Sequence, residues 1–252
     1  MNNPQTRIKL TVAYDGTNYH GWQTQPGVPT IEGQLNHALT ELLGEEITVI
    51  GASRTDTGVH ALCNIAVFDT KSPIPAEKIS YALNQRLPED IRIQKSEAVT
   101  PDFHPRRLSS RKTYHYKIWN ADFPLPTKRL YHHFTYRNLD IDQMQKAAEY
   151  LVGEHDFASF CTVGHTAETT VRTIFDLNIE KKANEITISI TGNGFLYNMV
   201  RIIAGTLIDV GTGKYQPDRV NEILLAKDRT LAGPTAPPNG LTLADYDFSS
   251  FI

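Results

Sequence analysis

A chain of 252 residues with 40% hydrophobic and 21% charged side chains can bury a sizeable core, which excludes disorder and fits one large domain or two packed halves. Its two cysteines, Cys63 and Cys161, are too few for a disulfide framework or a cysteine-based zinc site. The net charge of −3 does not by itself favour a nucleic-acid partner, and Arg201 and Asp209 interrupt the longest apolar run, Met199 to Val210, which excludes a membrane span.

Met1 to Gln5 hold no apolar stretch that reads as a signal peptide, so an intracellular, cytoplasmic protein is expected. Residues 6–14 alternate through Ile8, Leu10, Val12 and Tyr14, the pattern of a half-buried strand. A turn-rich stretch from Asp15 to Pro29 leads into Ile31, Leu35, Ala38, Leu39, Leu42 and Leu43 at helical spacing. Thr30 is the expected N-cap of that helix and Gly44 its expected stop. Strands are expected near 47–52 and 64–69, then a helix from about Pro75 to Leu87, and Ile91 and Ile93 mark a sixth element.

The second half repeats this order. A strand is expected from about Lys112 to Trp119 and a helix from about Ile141 to Val152, ended by Gly153. Val171, Thr173, Phe175, Leu177 and Ile179 alternate, then turn through Lys182-Ala183-Asn184 into Ile186, Ile188 and Ile190, which predicts a hairpin. An apolar helix follows from about Tyr197 to Val210, a shorter one from Pro217 to about Lys227, and a last strand near Leu241 to Tyr246. Each half thus reads as a ferredoxin-like, RRM-like βαββαβ unit, a fold also used by RNA-binding modules. The expected architecture is α+β, with halves at 1–105 and 106–252 whose antiparallel sheets join around a central cleft.

Charge distribution qualifies the acidic total. Between Phe103 and Leu139 stand Arg106, Arg107, Arg111, Lys112, Lys117, Lys128, Arg129 and Arg137 against one acid, Asp122. His104, His115, His132 and His133 lie in the same stretch, with Tyr114, Tyr116, Trp119, Tyr131 and Tyr136. Cations neutralise phosphates and interleaved aromatics stack on unpaired bases, so RNA is a candidate partner; a solvated basic face is the plain alternative.

The densest chemistry lies at Ser53-Arg54-Thr55-Asp56-Thr57-Gly58-Val59-His60-Ala61, between the apolar runs Ile47 to Ile50 and Ile65 to Phe68. Asp56 admits three readings there. It can form a turn with Gly58. Asp56-Thr57-Gly58 also reproduces the signature of an aspartic-protease half-site, although Arg54 stands where that loop is apolar and no second copy exists. Or it is a lone carboxylate, ionised and held by a cation.

Four blocks in order add a resemblance over nearly the whole chain. They are Tyr14-Asp15-Gly16-Thr17-Asn18-Tyr19-His20-Gly21-Trp22-Gln23, Arg54 to Ala61, Arg111-Lys112-Thr113-Tyr114-His115-Tyr116, and Gly194-Phe195-Leu196-Tyr197-Asn198-Met199-Val200-Arg201. The chain resembles the tRNA pseudouridine synthase A family, enzymes that convert uridine to pseudouridine at positions 38, 39 and 40 of the tRNA anticodon stem-loop. The resemblance implies an isomerase that needs no cofactor and no metal, a tRNA substrate, base flipping and a homodimer. It implies that Asp56 is the catalytic aspartate and that Arg201 pairs with it. Tyr114 would stack on the flipped base, Arg54 would fill the space the nucleotide leaves, and Leu196 would line the uracil pocket. His60 reads as a hydrogen-bonded support, and Trp22 and Gln23 as braces of a loop or as packing. A non-catalytic RNA-binding protein on the same fold is the alternative.

Overall fold

The computed structural model describes residues 4–162, 164 and 168–248. The chain forms two compact units, one running to Ser109 and resuming at Leu243, the other Ser110–Thr242. From Leu243 the chain groups with the first unit, so most of the last strand, β10 (Leu241–Asp247), which lies beside β3 (His60–Thr70), is assigned to that strand's unit.

In the first unit, β1 (Thr6–Tyr14) turns Ile8, Leu10, Val12 and Tyr14 into the core, as its alternation predicts. Helix α1 (Ile31–Leu43) buries Ile31, Leu35, Ala38 and Leu39; the isoleucine and the two leucines contribute about 1.5–3 kcal/mol each. Its ends are the expected ones. The Thr30 hydroxyl accepts the Gly33 amide at 3.2 Å, and Gly44 closes the helix at φ 68°. Next come β2 (Ile50–Gly51), β3, α2 (Ala76–Leu83) and β4 (Ile91–Val99). The sheet runs β4-β1-β3-β10, with β2 off β3. A register shift between Val12 and Tyr14 breaks the β1–β3 ladder, so Tyr14 stands opposite Ala61.

Two expectations for this unit need correcting. The strand expected at 47–52 is only two residues long, because the donors before it turn to α1: the Ile47 amide to the Thr40 hydroxyl at 3.1 Å and the Val49 amide to Asn36 Oδ1 at 2.9 Å. Strand β3 starts at His60, not 64, so the segment between β2 and β3 is short.

The second unit holds β5 (Arg111–Asn120), β6 (His133–Thr135), α3 (Ile141–Glu149), β7 (Gly153–Asp156), β8 (Val171–Lys182), β9 (Glu185–Gly192), α4 (Met199–Gly211) and α5 (Arg219–Ala226). Its strands run β5-β9-β8-β7, antiparallel, with β6 parallel beside β5. β8 and β9 form the expected hairpin across Ala183-Asn184, where Ala183 takes φ 53°. Helix α4 is apolar nearly all round because it is buried nearly all round, against α3 at Gly211 and Met144 and against the Pro234 backbone at Gly205. The result is a mixed α/β protein with mostly antiparallel sheet and five α-helices among the described residues, none of them long and apolar enough to cross a membrane.

Candidate active site

Asp56 lies on the loop between β2 and β3. Along it Ser53 and Thr55 face inward, Arg54 and Thr57 are exposed, and Asp56 is half-buried. Burial thus alternates from Ser53 to Thr55, with Arg54 turned outward between them. Thr55 is fastened twice. Its carbonyl accepts the Trp22 amide at 3.0 Å, and its hydroxyl shares a 2.7 Å hydrogen bond with the Tyr14 phenol. The Gly58 amide donates to the Tyr19 carbonyl at 3.2 Å, and the Val59 amide closes the turn on the Asp56 carbonyl at 3.1 Å.

The block from Tyr14 to Gln23 is the frame of this loop. Gly21 takes φ 82°, and a Cβ there would stand 2.6 Å from the Thr55 carbonyl oxygen, so only glycine permits the approach. The Trp22 indole, 1% exposed, fills the space beside Gly51 that any side chain would need. Tyr14 packs near it, ring centroids 6.0 Å apart, and burial pushes the Tyr14 phenol above its ordinary range. His60 is buried, its Nδ1 accepting the Gly16 amide at 3.1 Å with Asp15 Oδ1 also 3.1 Å away. Trp22 thus braces the Asp56 loop, while Gln23 is exposed. Asn64 escaped the sequence reading altogether. A lone asparagine in an apolar strand run was its only signal, and it holds both Ser53 and Tyr14.

Tyr114, Leu196 and Arg201 belong to the second unit. Tyr114 alternates inward on β5 with Tyr116 and Ile118, and it meets the Phe195 ring edge-on at 5.2 Å. Leu196 is buried just before α4. Arg201 sits in the first turn of α4, where its Nε donates to the Ala236 carbonyl and its Nη1 to Asn198 Oδ1, both at 2.7 Å. The Ala236 amide in turn donates to the Arg201 carbonyl at 3.1 Å. Asn198 holds φ 61° and donates from its amide to the Thr162 hydroxyl at 3.0 Å, so one residue both starts the helix and aims the guanidinium. Its left-handed backbone was legible as an asparagine preference; its side-chain role was not.

The basic-aromatic stretch does not form one surface. Tyr114, Tyr116 and His132 are buried. Arg111 stacks on Phe175 at 4.6 Å, and Lys128 bonds Glu185 at 2.8 Å beside the Trp119 ring. Lys112 is half-buried on β5, and burial, with the nearby Arg172 charge, pushes its amine down to about 8. Arg106, Arg107, Arg129, Arg137, Tyr131 and Tyr136 remain exposed. Among the described residues no cluster of three or more His, Cys, Asp or Glu could hold a metal ion.

Comparison with known proteins converges on one family. The tRNA pseudouridine synthase family model matches residues 10–106 and 147–249. Similar chains are the tRNA pseudouridine synthases A of Thermoanaerobacter pseudethanolicus (52% identical, covering 94% of this chain and 97% of that one), Acetivibrio thermocellus (47%, 94% and 98%) and Brevibacillus brevis (46%, 94% and 97%).

Proposed function

The chain belongs to the tRNA pseudouridine synthase family, and we propose that Asp56 is the carboxylate on which its isomerisation of uridine in tRNA turns. The reaction conserves every atom. The bond from N1 to the ribose C1′ breaks, C5 bonds to C1′, the C5 proton leaves and N1 takes one up. A carboxylate that starts this sequence must be ionised and must hold its direction while the uracil turns. The carrying observation is that Asp56 follows a residue pinned through both its carbonyl and its hydroxyl.

The other roles follow the same reading. Arg201 is the cation for the carboxylate, its guanidinium already oriented by Asn198 and the Ala236 carbonyl. Tyr114 and Leu196 receive the uracil, and the exposed Arg54 fills the stack after the nucleotide flips. The substrate region is the anticodon stem-loop at positions 38 to 40, the fold is two ferredoxin-like halves, and the enzyme works in the cytoplasm as a homodimer without a cofactor. The element order β1-α1-β2-β3-α2-β4 with sheet order β4-β1-β3 supports the first half of that fold.

The test is to map pseudouridine in tRNA transcripts incubated with wild type and with Asp56→Asn. The variant is expected to bind tRNA and to leave every uridine unmodified. Pseudouridine formed by Asp56→Asn at a rate near wild type would sink the assignment.

A further inference from the structure

We propose that Tyr14, Thr55 and Asn64 form a positioning brace that sets the direction of the Asp56 carboxylate, a role that rests on Asp56 being the catalytic group. Every hydrogen-bonding group of the buried Asn64 side chain has a partner. Asn64 is fully buried on β3, opposite Val12. Its amide nitrogen donates to the Ser53 carbonyl at 2.9 Å and to the Tyr14 oxygen at 3.2 Å. Its carbonyl oxygen accepts the Ser53 amide at 3.2 Å and the Ile65 amide at 2.9 Å. Both donors and both lone pairs are therefore used. Asn64 stands in for a strand partner to Ser53, which has left the ladder after β2.

The same amide ties the Tyr14 phenol into this network. The phenol oxygen accepts from Asn64 and shares a hydrogen bond with Thr55 Oγ1, 2.7 Å away. Thr55 is thereby held from the side chain by Tyr14 and from the main chain by Trp22. With its rotation stopped on both sides, the next Cα–Cβ vector, that of Asp56, has one direction. The shift in β1 register between Val12 and Tyr14 is what brings the phenol to the loop. All three side chains are under 10% exposed and none is charged at neutral pH, so water and salt do not loosen the brace.

The experiment measures single-turnover pseudouridine formation with enzyme in excess, tRNA affinity by filter binding, and melting temperature. Tyr14→Phe and Thr55→Val each remove one hydroxyl and keep the shape. Each is expected to slow the chemical step by roughly 10- to 100-fold while the tRNA dissociation constant stays within about threefold. Thr55→Ser, which keeps the oxygen, is expected within about threefold of the wild-type rate, and the Tyr14→Phe/Thr55→Val double variant no more than about threefold below the slower single. Ser159→Ala removes a buried hydroxyl bonded to the Ile223 carbonyl in the other unit and should lower the melting temperature without slowing the step. Full rates in Tyr14→Phe and Thr55→Val, an equal loss in Thr55→Ser, or losses that simply multiply in the double variant would overturn the brace while leaving Asp56 catalytic. An active Asp56→Asn would remove both. If Tyr14→Phe does not fold, the Thr55→Val and Thr55→Ser pair decides.

Discussion

The loop before Asp56 and the cluster around Glu185 are both polar assemblies attached to a sheet, and they are held by opposite means. Tyr14, Thr55 and Asn64 meet through neutral hydroxyl, amide and carbonyl groups at 5%, 7% and 0% exposure. Glu185, with its side chain 31% exposed, sits 2.8 Å from Lys128 and 2.7 Å from His132, and Lys128 is the main reason its carboxyl is held down to about 2. His132 adds less at neutral pH, because burial pushes its own ring below the ordinary range despite the carboxylate beside it. The contrast separates two tasks. Neutral buried bonds fix a geometry across pH and salt, whereas exposed charges tie down a surface segment and give way when either changes.

The largest effect expected from breaking this contrast is at Trp22. Trp22→Ala empties the space beside Gly51 and frees the strap over Thr55, and should cost about 3–5 kcal/mol in urea unfolding, with pseudouridine formation lost. Gly51→Ala probes the same packing from the other side. Its methyl is driven into the indole and should cost about 1–3 kcal/mol. Glu185→Gln, on the charged cluster, should cost under about 1 kcal/mol and less still as salt rises, while the loss in Tyr14→Phe stays constant. Equal costs at Trp22 and Glu185 would erase the distinction.

The smallest effect is one of pH, and its sign is fixed. Glu185 titrates at about 2 in the folded chain against 4.5 ordinarily, so its contribution is whole above 4.5 and is lost as pH falls towards 2. The stability gap between wild type and Glu185→Gln should therefore close as pH falls from 4 towards 2, read from urea midpoints. A gap that stays open at pH 2 would contradict the assigned pairing.

How much of this was legible beforehand depends on the range of the interaction. Helix α1 was readable from cap to stop because Thr30 and Gly44 act within one turn. The hairpin of β8 and β9 was readable because alternation and a two-residue turn are local. The strand expected at 47–52 failed because Asn36 and Thr40, 13 and 7 residues away, took its amides for helix side chains. Likewise the dense run of cations and aromatics at 103–139 looked like a surface, yet the pleat of β5 sends every second side chain inward.

What the sequence determined by itself is the set of candidate side chains and the local frames that carry them: an aspartate in a glycine-containing loop, a tyrosine on a strand, an arginine at the head of an apolar helix. These follow from residue type and short-range periodicity, which a linear string holds in full. Only the tertiary structure decided that Asn64 completes the Tyr14–Thr55 bond, that Ala236 and Asn198 orient Arg201, and that the last strand belongs with the first unit. Each of these joins residues through a hydrogen bond whose partner is chosen by three-dimensional burial. A buried donor takes whichever acceptor the fold brings within reach, and chain order alone does not say which that is.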